Sequence, residues 1–223
     1  VVDAWMPGAK RVPCTSRTGA HLQGGAPRAV WLTTESDPAA LTARAVSQRL
    51  VGEGRTGHLV WNPRTGETVQ LLPATAPAGG ELNPGHPDRA CEGRVCIVIT
   101  VIGWSDVPFT DSPLYALAPI LNWLDSWEVP RRWPAGAPSA GLPGPRARAS
   151  GERLWARGGH FGHSQVPGSQ SAGPGAVCPD VLLGRAEAPP ERERPLRSPA
   201  PPALPVVGHS ANGERRFAGA ASG

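Results

Sequence analysis

Three observations predict an α/β domain with a single mixed β-sheet flanked by helices, followed by a disordered C-terminal tail. Apolar residues concentrate between about residues 28 and 133, in the order β-α-β-β-β-α, which is the signature of one mixed-sheet layer structure. Within that zone Val95–Ile102 is a continuous apolar run rich in β-branched residues, as a central strand buried on both faces requires. The chain also holds 28 Gly and 27 Pro in 223 residues, about twice the usual combined share of about 12%. Much of that excess falls in the 134–151 stretch and near the C-terminus, but where it enters the domain, as Gly57, Pro119 and Gly173, it replaces residues the fold or its chemistry would want.

The elements follow in order. Residues 1–26 carry turn residues with little periodicity and read as an N-terminal arm. Arg28–Thr34 reads as a buried strand. Asp37 followed by Pro38 predicts an N-cap and a first helical residue, with Leu41, Ala45, Val46 and Leu50 at helical spacing and Gly52 closing the helix. His58–Trp61 and Thr68–Leu72 flank Asn62–Glu67, whose Asn, Pro and Gly supply hairpin turn chemistry. After the Val95–Ile102 strand, Ser112-Pro113 predicts a second helix, with Leu114, Leu117, Leu121, Leu124 and Trp127 along one face. Pro119 falls inside that helix. There it should kink or break it, because an interior proline removes a hydrogen bond and costs about 3 kcal/mol.

A loop insertion over 134–151 leads to a short segment around Trp155–Val166. The domain is therefore drawn over 27–177. Residues 178–223 form the tail, where seven prolines between 185 and 205 and the charged run Glu191–Arg194 leave too little apolar surface to bury.

Composition excludes several classes. No apolar run approaches the roughly 18 residues of a membrane span, and four cysteines in 223 residues are too sparse for a disulfide scaffold. The N-terminus lacks the apolar core of a signal peptide. Net charge is +4, with Lys10 the one lysine among 22 basic residues. Arg, Ala, Gly and Pro share GC-rich codons, so the basic balance reads as genome bias. No basic block is interleaved with aromatics, and nucleic acid is not an expected partner. Gly52–Gly57 lacks the Lys-Ser/Thr ending of a phosphate loop. Cys91 and Cys96 have no second pair at zinc-ribbon spacing, and Cys96 reads as a small buried hydrophobe.

Four stretches taken together resemble the zinc-dependent N-acetylmuramoyl-L-alanine amidases, whose fold is shared with peptidoglycan recognition proteins. They are Ala29–Glu35, Gly57–Trp61 with its Asn62–Glu67 hairpin, Pro108–Pro113, and Gly159–Gly168 followed by Gly173–Gly175. The resemblance covers roughly Trp5 to Val177 and is nearest to actinobacterial, endolysin-like members. It implies metal-assisted hydrolysis of the amide between the lactyl group of N-acetylmuramic acid and L-Ala. In such enzymes zinc is held by two His and one Asp or Cys, with an open position for water.

Carried over residue by residue, the resemblance puts Leu32 at the first ligand position, His163 at the second and Gly173 at the third. Gly57 stands where the family often has an assisting Tyr, and Thr100 where it commonly has a catalytic Glu. Leu and Gly offer no donor, so a zinc cofactor is not expected, and His163 remains as a remnant ligand. A rearranged site would have to recruit His160, Cys178 or His58. Ligand contacts are assigned to His58, Trp104, Trp155 and His160. Trp133 is a further cleft candidate among the eight Trp, most of which fall on core-facing patterns.

The expectation is a monomeric peptidoglycan- or muropeptide-binding protein that is catalytically impaired, acting outside the cell or at the cell wall if it is functional. Two alternatives stand beside it. One is an active amidase with a rearranged zinc site. The other is a frameshifted reading frame, suggested by the change of composition beyond Val177.

Overall fold

The computed structural model describes residues 2–12, 14, 20–80, 82, 88–139 and 151–186. Six strands form one sheet: β1 (Lys10–Arg11), β2 (Arg28–Thr33), β3 (Leu59–Trp61), β4 (Thr68–Gln70), β5 (Cys96–Val101) and β6 (Gly159–Gly162). Their order across the sheet is β1-β4-β3-β5-β2-β6. The β3–β5, β5–β2 and β2–β6 pairs are parallel, β3–β4 is an antiparallel hairpin, and β1 lies parallel to β4. The mixed α/β sheet expected from sequence is the fold observed.

Two helices cover opposite faces. Helix α1 (Ala43–Gly52) follows β2, and α2 (Leu117–Ser126) follows β5. Odd-numbered residues of the central strands, Trp31, Trp61, Ile97 and Ile99 among them, pack with Ile120, Leu121, Trp123 and Leu124 of α2. Val60, Val69 and Ile102 turn the other way, toward Val46 and Leu50 of α1. Val30, Leu32, Val98 and Phe161 share that second face farther along the sheet and meet Trp155, on the helical segment 151–155. With both faces covered, β5 is buried at all six positions, as its unbroken apolar run predicts.

The helix starts differ from expectation, for local reasons. Helix α1 begins at Ala43, with Thr42 Oγ1 accepting from the Ala45 amide at 3.1 Å. Asp37 instead closes a separate turn: its Oδ1 accepts from Ala39, and its carbonyl from Ala40 and Leu41. Helix α2 begins at Leu117, not at Pro113. Pro119 is therefore the third residue of its first turn, where backbone N–H groups have no intrahelical acceptor, and the expected kink is absent.

The folded body extends beyond 27–177 at both ends. Met6 is buried, its amide donating to Gln70 Oε1 at 2.6 Å, and β1 adds an edge to the sheet. After Val177 a short helix, Pro179–Leu182, buries Leu182 and Leu183 against the α2 side. The tail beyond Ala186 and most of the 134–151 insertion lie outside the described residues. No helix among the described residues is long and apolar enough to cross a membrane.

At the amino ends of the strands, Arg28 and Arg89 are buried around Glu92. The Glu92 carboxylate accepts from Arg28 at 3.2 Å, from Arg89 at 2.8 Å and from the Trp155 indole. Arg28 also lies 4.3 Å over the Trp155 ring. This charged cluster anchors segment 151–155 at the end of the sheet opposite the candidate site.

Candidate functional site

The topology marks where a site belongs. The chain leaving β2 passes through α1 to β3, while the chain leaving adjacent β5 passes through α2 to β6, over the other face. Connections that diverge from neighbouring parallel strands open a crevice at their carboxyl ends. At the carboxyl ends of β2 and β5, Leu32 is the register partner of Thr100 and Thr33 of Val101; Leu32, Thr100 and Val101 are buried, so a crevice at this point opens beyond them, over the loops that follow the strands.

Several residues singled out in the sequence meet here. Gly57 lies against Thr100, so that a Cβ on it would stand 3.3 Å from Thr100 Oγ1. Gly162 is the register partner of Trp31, so His163 follows β6 at the level of Leu32. Gly173 closes on the same edge: its carbonyl accepts from the Ser164 amide at 2.7 Å, and a Cβ on it would meet Thr33 Oγ1 at 2.9 Å. His163 is half-buried; desolvation, with the Arg55 guanidinium adding to it, lowers its pKa to about 4. At neutral pH it is an uncharged imidazole, able to donate from one nitrogen and accept at the other.

The other expected contact residues are placed elsewhere. His58 is fully buried in the core: Val98 N–H donates to its Nδ1 at 3.0 Å, which leaves Nε2–H to donate to the Ala76 carbonyl at 2.8 Å. Both ring nitrogens are engaged, and burial pushes its pKa down to about 4.

His160 lies on the α2 face, stacked between Trp31 and Trp133, with Nδ1 accepting from the Trp31 indole at 3.1 Å. Its pKa is lowered to about 3, chiefly by burial. Trp155 is core, 4.9 Å from Phe161. His58, His160 and Trp155 therefore have no surface to offer a ligand. Trp133 is also packed inward, donating to Gln165 Oε1 at 2.6 Å. Trp104, just beyond β5, is partly buried.

Glu35, which follows Thr33-Thr34, takes a role that its motif does not announce. Its backbone is left-handed (φ 53°), and its carboxylate reaches across the crevice to Ser105. A zinc ion does not fit this donor set. Leu32 and Gly173 have no donor atoms, His160 and His58 point into the core, and Cys178 is exposed on the segment held by Thr110. Among the described residues, no group of three His, Cys, Asp or Glu is arranged to hold a metal ion.

No family model and no curated protein sequence matches the chain. Solved structures with a similar course of chain include the N-acetylmuramoyl-L-alanine amidase LysC from Clostridium intestinale URNW, at 12% identity and a TM-score of 0.47, covering 80% of this chain and 97% of that one. The Staphylococcus aureus hydrolase AmiA, in complex with its ligand, is 13% identical with a TM-score of 0.44, over 82% and 89% of the two chains. The Drosophila peptidoglycan recognition protein SD is 16% identical with a TM-score of 0.41, over 81% and 96%.

Proposed function

We propose that this chain binds peptidoglycan at the β2–β5 crevice, on an amidase-like scaffold, and does not hydrolyse the N-acetylmuramoyl–L-Ala amide. The observation that carries this reading is the placement of Leu32, His163 and Gly173 at one edge of the sheet. These are the three positions that the sequence resemblance assigns to metal ligands, and one of them bears a donor. A catalytic zinc takes three protein ligands. With a single imidazole, the crevice retains the means to contact a muropeptide and lacks the means to polarise its carbonyl.

The residues present suit that substrate class. A muropeptide offers sugar faces, hydroxyls, amides and carboxylates. Trp104, partly buried, supplies an apolar ring of the kind that packs on a sugar or peptide face. His163 supplies a neutral donor and acceptor for the amides and hydroxyls of such a ligand.

The test uses the whole chain purified in its native form. It is expected to sediment with insoluble peptidoglycan, to release no stem peptides, to carry well under one zinc per chain, and to bind equally with and without chelator. Failure to sediment overturns the reading. Release of stem peptides that a chelator abolishes overturns it in favour of an active amidase with a rearranged zinc site.

A further inference from the structure

The exits of β2 and β5 are tied together by one side chain. Both Glu35 carboxylate oxygens accept the Ser105 backbone N–H at 3.1 Å, one of them also accepts Ser105 Oγ at 3.0 Å, and the other accepts Thr33 Oγ1 at 2.7 Å. The two partners of Glu35 also lie against Gly173 and Gly175 of the 173–175 segment. A Cβ on Gly173 would stand 2.9 Å from Thr33 Oγ1, and one on Gly175 would overlap the Ser105 carbonyl oxygen. The ends of β2 and β5 thus meet on one carboxylate, and the segment after β6 packs against both of its partners.

Glu35 reaches this position with a backbone that L-residues rarely adopt. Such conformations cost free energy, and they persist where surrounding contacts hold them in place, often at functional sites. Three donors supply that hold: the Ser105 N–H shared between both oxygens, the Ser105 hydroxyl and the Thr33 hydroxyl. Ser105 directly follows Trp104, so the carboxylate that holds the Ser105 turn also bears on the backbone that carries this partly buried indole.

We propose that Glu35 is a positioning residue for ligand: it fixes the Ser105 turn, with Trp104 beside it, and the Gly173–Gly175 segment as one preformed rim of the crevice. Its effect on affinity rests on the proposed function, but its effect on the rim does not. Without the carboxylate the three segments keep their places in the sheet and lose their mutual register, so a ligand must order them on binding.

The test compares the whole chain with Glu35→Gly and Glu35→Gln. Glycine accepts the left-handed backbone and removes the clamp, which separates loss of positioning from loss of stability. In Glu35→Gly, amide exchange in residues 103–106 and 172–176 is expected to quicken about tenfold, while exchange in β5 and the thermal midpoint stay put. The half-saturating concentration of insoluble peptidoglycan is expected to rise about tenfold in step. Glu35→Gln keeps one acceptor oxygen and is expected to fall between the two.

Unchanged exchange in the two loops overturns the proposal. So does quickened exchange with unaltered peptidoglycan binding, or a lowered thermal midpoint with both other readouts unmoved. If the unsubstituted chain does not sediment with peptidoglycan, the proposed function falls, and the exchange measurement alone decides whether Glu35 holds the rim.

Discussion

Leu32 and Thr100 are register partners across β2 and β5, and the Thr100 hydroxyl is buried beside them without a hydrogen-bond partner. Leu32 offers it nothing, and Gly57, whose missing side chain would lie 3.3 Å from that oxygen, offers nothing either. Burying a hydroxyl without a partner costs more than burying a methyl group in its place. Thr100→Val is therefore expected to stabilise the protein by about 1 kcal/mol. A urea midpoint that rises with an unchanged slope bears this out; a fall of similar size means that the hydroxyl is satisfied in solution.

Pro119 gives a second expectation, opposite to the one its sequence position suggests. A proline in a helix interior costs about 3 kcal/mol relative to Ala. In the first turn of α2 it gives up no intrahelical bond, because α2 begins at Leu117. Pro119→Ala is expected to change stability by less than about 1 kcal/mol, in either direction. A gain near 3 kcal/mol in a denaturation experiment would show that the helix begins a turn earlier in solution.

These two residues also mark how far the sequence could be read. The β5 run and the hairpin were legible because each rests on short-range chemistry. Asn62 Oδ1 accepts from the amides of Arg64 and Thr65, two and three residues on. Helix starts were not, because Asp37 carries the same local signals as a true N-cap while closing a turn of its own, and Ser112-Pro113 stands a Leu114–Leu117 turn ahead of α2. At the site, the limit was the phase of β6. Gly159–Gly162 has no apolar alternation to fix which side faces α2, and a shift of one residue exchanges the faces. His160 thus reads as well for the crevice as for the core, and the structure turns it inward between two indoles. Glu35 was visible only as part of a motif, since nothing local tells that its carboxylate meets a residue 70 positions away.

The ligand assignment at the crevice can be tested by restoring donors. Leu32→His combined with Gly173→Asp places an imidazole and a carboxylate at the level of His163, completing a set of three. Gly173 sits in a backbone region open to any residue, but its new Cβ would crowd Thr33 Oγ1 at 2.9 Å, so that hydroxyl must turn away. The double variant is expected to bind close to one zinc per chain, while Leu32→His alone binds far more weakly. Equilibrium dialysis against zinc distinguishes them. If the double variant gains no affinity over the unsubstituted chain, these three positions do not converge as assigned.

Stability should also depend on pH above the range in which carboxylates titrate. Burial lowers the pKa of His58 to about 4 and that of His160 to about 3, each from 6.5. Around His160 the Asp125 charge acts against this shift, and Arg131 and Arg185 add to it. Because both folded values lie below the unfolded one, the unfolded chain takes up these protons first. The stabilisation is complete above about pH 6.5 and is lost as pH falls toward the folded values, reaching about 2 kcal/mol per imidazole by pH 5. His58→Gln and His160→Gln each abolish the site's own proton uptake on unfolding. Each is expected to reduce the slope of stability between pH 7 and pH 5 by a comparable share, whatever it does to stability at pH 7. Urea midpoints at several pH values supply the slope, and a parent profile already flat over that interval means that both rings are hydrated and titrate normally.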